Sequence, residues 1–238
     1  MGATAPVGPA SAAQRLEIVA RTLRHEVGDL LQTLYSTVAI LQERLAADQA
    51  LERRLLGDLK GRAENCRNEL DAVVDLVCPM QPTFALTDLA ELSQGLASHC
   101  GQRFPALQVQ LEAAGPVPVQ ADARRLAQVG GLLLLSACQS AQHHVTVRAA
   151  RTGGEVEWAI RDDGHGASEE QLSWLNAPFT TTHHAQFGLG LALARRVAEL
   201  HGGRLEAGNR PEGGFQVRLL LPVSPPAEGS DAGTAPGW

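Results

Sequence analysis

Leu16, Val19, Leu23, Val27, Leu30, Leu34, Val38, Leu41 and Leu45 recur at steps of three and four. At 3.6 residues per turn this spacing lines one side of a helix, so the chain opens with a long amphipathic helix. After Ala46, Ala47, Asp48 and Gln49 a second stripe begins, through Leu51, Leu55, Leu59, Ala63, Cys66, Leu70, Val73 and Val77. No proline lies between positions 11 and 78. The pattern predicts a helical hairpin over residues 14–78 with a short connection. Two helices cannot enclose a core. Their apolar faces ask for a partner, and a homodimeric four-helix bundle is the simple solution.

Pro79 and Pro82 break that pattern. Beyond them, helical signals over 88–100, 121–142, 169–175 and 189–201 alternate with strand signals over 107–111, 143–150, 155–162, 203–207 and 214–221. Residues 83–222 therefore predict a mixed α/β layer structure, and with the hairpin the fold class is α+β. Residues 1–13 and 223–238 are rich in Pro, Gly, Ala and Ser and predict disordered ends.

Composition sharpens this in three places. Aromatic residues are 4% of the 238, so the core must be built from Leu, Val and Ala. The formal charge is −6 with no basic run, which speaks against a nucleic-acid partner. The N-terminus lacks a basic stretch followed by an apolar run, and the longest apolar run, around 130–135, is far too short to span a bilayer. No membrane partner and a cytoplasmic location are expected. Cys66, Cys78, Cys100 and Cys138 form no CxxC pair, so they read as reduced thiols rather than as a zinc or redox motif.

Candidate chemistry starts at His25. It sits two residues from both Leu23 and Val27, roughly 200° from the apolar stripe, and so faces water. A polar surface residue accounts for that. So does a nucleophile whose imidazole attacks a phosphoryl group while the carboxylate of Glu26 takes or orients the proton on the other ring nitrogen. Further on, the strand 155–162 ends in Asp162-Asp163-Gly164-His165-Gly166, a DxGxG pattern. An Asp at a strand end can accept from an exocyclic amine, and the glycines let the backbone turn against a planar ring. A plain tight turn fits the same residues. Pro178-Phe179-Thr180-Thr181-Thr182 follows, then Gly188-Leu189-Gly190-Leu191-Ala192 at a helix start, where glycines and free N–H groups favour phosphate. That helix closes on Gly202-Gly203.

Arg24-His25-Glu26-Val27-Gly28-Asp29-Leu30-Leu31 resembles the H-box of sensor histidine kinases, and DxGxG, PFTTT and GLGLA in this order resemble their catalytic domain, a branch of the Bergerat-type ATPases. The resemblance covers roughly residues 14–222. It implies ATP and Mg²⁺ as cofactors, His25 as phosphoacceptor and Glu26 as base. It also implies Asp162 on the adenine amine, Gly164 and Gly166 shaping the adenine pocket, Gly188, Leu189 and Gly190 at the phosphates, and Thr181 in the lid. The partner it implies is a response-regulator receiver domain, whose aspartate takes the phosphoryl group.

The chain departs from the family pattern in places. The position four after the His, an Asn or Thr that supports phosphatase activity in the family, is Asp29, and the usual Pro one further on is Leu30. The helix after Asp122 should carry two asparagines. Aligned on Gln128-Val129 and Ala137, those positions are Leu132 and Ser136, and the basic residue three further on is Gln139. Ser136 is then the remaining metal donor, a hydroxyl in place of an amide carbonyl. Two readings stand side by side: a working histidine kinase, and a non-catalytic adaptor or histidine phosphotransfer protein that docks a response regulator.

Five other histidines and two tryptophans carry less. His143 and His144 are strand neighbours on opposite faces and make a poor chelate. His183 and His184 fall in the expected lid. His165 fills a turn. Trp158 and Trp174 read as packing residues.

Overall fold

A computed structural model describes residues 11–46, 49–174 and 185–224, with residues 173, 174 and 185–188 described by backbone alone. The chain divides into two compact units, Met1–Met80 and Gln81–Trp238.

The first unit is a pair of helices, α1 (Ala12–Arg44) and α2 (Ala50–Val77). α1 starts where its cap is strongest. The Ser11 side chain accepts from the Gln14 N–H, and the Gln14 side chain accepts from the Ser11 N–H at 2.8 Å, which satisfies two N–H groups that a helix start leaves open. At 1.5 Å per residue α1 is about 50 Å long. Ser11 and the start of α1 are thus ordered within the segment expected to be disordered; residues 1–10 lie outside the described ones.

The helices meet along a seam that includes Ala20, Leu31 and Val38 on α1 and Ala63 and Val74 on α2. This seam differs from the stripe read off the sequence. Of that stripe on α1 only Val38 is buried, while Leu16, Val19, Leu23, Leu30 and Leu41 stay exposed, Leu30 at 71%. Leu51, Leu55 and Leu59 of α2 are exposed as well. One neighbouring helix covers a narrow strip, and the apolar face of each helix is wider than that.

In the second unit, β1 (Ala85–Asp88) and β3 (Pro118–Ala121) form a small antiparallel ladder. The main sheet joins β2 (Gln108–Glu112), β4 (His144–Thr152), β5 (Glu155–Asp162), β6 (Arg204–Asn209) and β7 (Phe215–Pro222) in the order β2-β4-β5-β7-β6. Only the β2–β4 pair is parallel. Helices α3 (Leu89–Arg103), α4 (Ala123–Ser140) and α6 (Ala185–Leu200) pack on the sheet, and α5 (Glu169–Trp174) follows the DxGxG turn.

The alternation of β4, β5 and β7 sends Val145, Val147, Trp158 and Leu219 inward, under Leu126, Val129 and Leu134 of α4. Trp158 is buried with its indole N–H donated to Ser93 Oγ of α3 at 2.8 Å, so the one polar atom of that ring has its partner. Outward positions form ion pairs across strands. Glu157 of β5 meets Arg218 of β7 at 2.8 Å, and Arg218 meets Glu206 of β6 at 2.9 Å.

β1 and β3 were not read from the sequence. Each has four residues, too few for a period-two pattern to rise above composition. Val223, expected in a disordered tail, is tied in: its N–H donates to the Gly154 carbonyl, and its carbonyl accepts from Gln120. Residues 225–238 lie outside the described ones.

Candidate functional site

β5 delivers Asp162 to its end, buried at 4% exposure. Asp162 Oδ1 accepts from the Gly164 N–H at 2.9 Å and from the Phe215 N–H at 3.3 Å. Burial pushes the carboxyl pKa up and those two N–H groups oppose it, with a net rise. The neighbouring Asp163 turns the other way. Its carboxylate accepts from the N–H groups of Gln142 (2.9 Å) and His143 (3.0 Å). Burial works against its ionisation, but the backbone donors outweigh it and hold its pKa below the usual carboxylate range.

The glycines of DxGxG are demanded by close approach. A Cβ on Gly164 would run into the Ser140 carbonyl oxygen and sit 2.9 Å from Asp162 Oδ1. Gly166 has φ of +75°, and a Cβ there would lie 2.7 Å from Asn209 Oδ1. His165 between them is exposed, as turn filler should be.

Three residues of this site were not read from the sequence. Asn209, at the end of β6, clasps the turn by accepting from the Ala167 N–H and donating to the Ala167 carbonyl, both at 2.7 Å. Arg210 Nη1 donates to the Asp162 carbonyl at 3.1 Å. Gly214 has φ of +82°, and a Cβ there would overlap the same carbonyl. No spacing along the chain links these residues to Asp162. The available signal was Gly213-Gly214 before a strand, which marks a tight approach without naming what approaches.

The glycine box needs one correction. The sequence put a helix start at 189, but α6 begins at Ala185. Only the first four N–H groups of a helix lack intrahelical partners. Gly188 is the last of these, and Leu189 and Gly190 follow it into the next turn. Gly190 has a different use: a Cβ there would lie 3.7 Å from Leu132 Cβ and 3.9 Å from Leu133 Cδ2, so α6 sits close on α4. Thr181, Phe179, His183 and His184 of the expected lid lie outside the described residues. The side chain of Trp174 lies outside them too, while Trp158 is core.

That contact places position 132 of α4 against the glycine box. Ser136, four residues on and so on the same helical face, is half-buried. Among the described residues no group of three or more His, Cys, Asp or Glu could hold a metal ion. One neutral hydroxyl fits a Mg²⁺ carried in by nucleotide phosphates and water, not one caged by protein carboxylates.

In the first unit His25 lies on the open side of α1, its side chain 75% exposed. Its Nδ1 is 3.2 Å from Asp29 Oδ2. Among the described residues the side chain of Glu26, the expected base, has no hydrogen-bond or ion-pair partner.

Comparison with known proteins agrees with this architecture. Residues 121–225 match the family described as histidine kinase-, DNA gyrase B- and HSP90-like ATPase. Along 87% of its length the chain is 28% identical, over 211 residues, to the sensor histidine kinase ZraS of Escherichia coli strain K12. Residues 121–225 thus belong to that ATPase family, and the chain is similar to sensor histidine kinases along most of its length. It is 29% identical over 226 residues to the C4-dicarboxylate transport sensor protein DctS of Rhodobacter capsulatus, covering 90% of this chain. It spans 45% of ZraS and 34% of DctS, so it corresponds to about half or less of these relatives.

Among solved structures, full-length ShkA in complex with AMPPNP aligns with a TM-score of 0.66 at 19% identity, covering 88% of this chain and 46% of that one. The nucleotide-free catalytic domain of histidine kinase ThkA aligns at 0.55 and 23% identity, covering 60% of this chain and 97% of that one. At these identities the match is one of fold. Among the described residues no helix is long and apolar enough to cross a membrane.

Proposed function

We propose that this chain is an ATP-dependent protein-histidine kinase of a two-component system. In this reading residues 83–222 bind ATP, the γ-phosphoryl group passes to His25, and an aspartate of a response-regulator receiver domain then takes it. Residues 14–78 form the dimerisation and phosphotransfer hairpin. The exposed leucines of α1 and α2 support a second copy of the chain as the partner that covers them. The work is assigned to the cytoplasm, where ATP and receiver domains meet.

The observation that carries the proposal is the turn at Asp162. A carboxylate held by two backbone N–H groups, with glycines at 164 and 166 forced by contact, is a built acceptor site rather than a loose loop. Its oxygens can accept from an adenine amine, and ShkA, one of the structural neighbours, holds AMPPNP. The N–H groups that open α6, Gly188 among them, favour phosphate there, with Thr181 assigned to the lid. Mg²⁺, held by Ser136 and the phosphates, would neutralise charge on the transferring group. Nε2 of His25 is the nucleophile, and Glu26 is the base for the ring proton.

Leu132, Ser136 and Gln139 favour the second reading, an adaptor or phosphotransfer protein, because they leave the metal one hydroxyl and put no cation at position 139 for the phosphates. Labelled ATP separates the two. Acid-labile, base-stable label that disappears in His25→Ala supports the kinase. Absence of label at concentrations where nucleotide is bound sinks it.

A further inference from the structure

We infer that Asp29 is a positioning residue for His25, fixing which ring nitrogen carries the proton before any phosphoryl group arrives. The inference rests on His25 being the phosphoacceptor, and it gives a use to a residue that stands where the family has Asn or Thr.

The geometry is that of one unbroken helix. α1 runs from Ala12 to Arg44, so residues four apart face each other and adjacent residues diverge by about 100°. Asp29 accordingly reaches His25, with Oδ2 3.2 Å from Nδ1, and Glu26 does not. The nearest preceding cation on this face does not compete, because Arg21 is paired with Glu17 at 2.7 Å. The Asp29 backbone is pinned as well, its carbonyl accepting from Thr33 Oγ1 at 3.0 Å.

The chemical consequence follows from the imidazole itself. A neutral ring has one N–H. An ionised Asp29 only accepts, so it selects the tautomer with the proton on Nδ1. The lone pair is then on Nε2, the nitrogen away from the carboxylate, on a side chain 75% open to solvent. When Nε2 attacks phosphorus, the Nε2–P bond forms and the bond from phosphorus to its leaving group breaks. The ring becomes cationic, and the Nδ1 proton is held between ring and carboxylate until a base removes it. Asp29 thus both aims the ring and offsets the charge that develops on it. Glu26 remains available for the proton in the reacting complex but does not set the resting tautomer.

The test uses the full chain and does not depend on its ATP site. Long-range ¹⁵N–¹H spectra of labelled protein at alkaline pH report the His25 tautomer. Phosphoramidate, a small donor whose leaving group is ammonia, phosphorylates histidine without nucleotide, and the two phosphohistidine isomers separate by chromatography. Wild type should hold the Nδ1–H tautomer and give the Nε2 isomer. Asp29→Ala should weaken the tautomer preference and slow the reaction by about two- to fivefold, the scale of an exposed ion pair. Asp29→Asn, which can still accept from Nδ1–H, should restore the tautomer and recover part of the rate. Glu26→Gln should leave the resting tautomer as it was. An unchanged tautomer in Asp29→Ala, or a tautomer lost in Glu26→Gln, overturns the inference. Failure of ATP-dependent labelling with these spectra as expected would instead count against the kinase reading alone.

Discussion

Gly164→Ala perturbs the candidate nucleotide site through the backbone. The added methyl would overlap the Ser140 carbonyl oxygen and sit 2.9 Å from Asp162 Oδ1, where ordinary contact begins at 3.4 Å. A carbonyl on a packed helix end cannot rotate aside as a side chain would. The turn must therefore shift by about 0.5 Å or more, on the scale of contact distances. The Gly164 N–H bond to Asp162, now 2.9 Å, stretches or breaks. Overpacking of this kind costs about 1–3 kcal/mol and a hydrogen bond to a charged group about 1.5–3 kcal/mol. Since relaxation exchanges one for the other, stability should fall by about 1.5–3 kcal/mol.

Nucleotide affinity should fall further than stability alone explains. The Asp162 carboxylate moves out of register with the adenine amine, and loss of that single bond is worth about 10- to 100-fold. Urea unfolding gives the first quantity, and titration calorimetry with a non-hydrolysable ATP analogue gives the second. Gly208→Ala is the control: a Cβ there meets nothing within 4 Å and the change should be neutral or slightly stabilising. A Gly164→Ala protein with wild-type urea midpoint and wild-type affinity would refute the claim that these glycines are there for contact.

Asn209→Ala removes both bonds of the clasp on Ala167, so stability should drop by about 1–3 kcal/mol and nucleotide binding should weaken although no ligand contact is lost; Asn209→Asp, which keeps one acceptor, should fall between in the same two assays. His201 is 2% exposed; its Nε2 accepts from the Asp122 N–H at 2.9 Å and its Nδ1–H faces the Val197 carbonyl at 2.7 Å, so the folded protein needs the neutral ring. Burial holds its pKa below 6.5, while the Val197 carbonyl and Asp122 work the other way. The contribution is complete above about pH 6.5 and is lost as pH falls from there toward the folded value, at up to about 1.4 kcal/mol per unit; urea midpoints between pH 7.5 and 5.5 should show this slope, and His201→Gln should flatten it. Cys66 is exposed while Cys78, Cys100 and Cys138 are buried, so a thiol reagent should modify one thiol per chain rapidly in the folded protein and four in denaturant; rapid reaction of two or more in the folded protein would contradict the packing.

The sequence by itself determined the elements long enough to carry a period. The two helices of the hairpin follow from spacing of three and four, and β5 ending on Asp162 appeared with its observed bounds. The glycine motifs were legible because glycine is the residue a chain must use where a Cβ would collide, although the groups that Gly164 and Gly166 would meet, Ser140 and Asn209, were not. Tertiary structure decided what local pattern cannot encode. Which strip of α1 becomes the seam with α2 depends on how wide a face one neighbour can cover, so Ala20 and Leu31 are buried while Leu23 and Leu30 are not. The two four-residue strands β1 and β3 exist because they pair with each other. The clasp of Asn209, Arg210 and Gly214 on the turn at Asp162 joins β5 to the β6–β7 hairpin across a long loop of chain. Periodicity reports which side of an element is apolar; only folding brings distant segments within hydrogen-bond reach, and hydrogen bonds are made over about 3 Å.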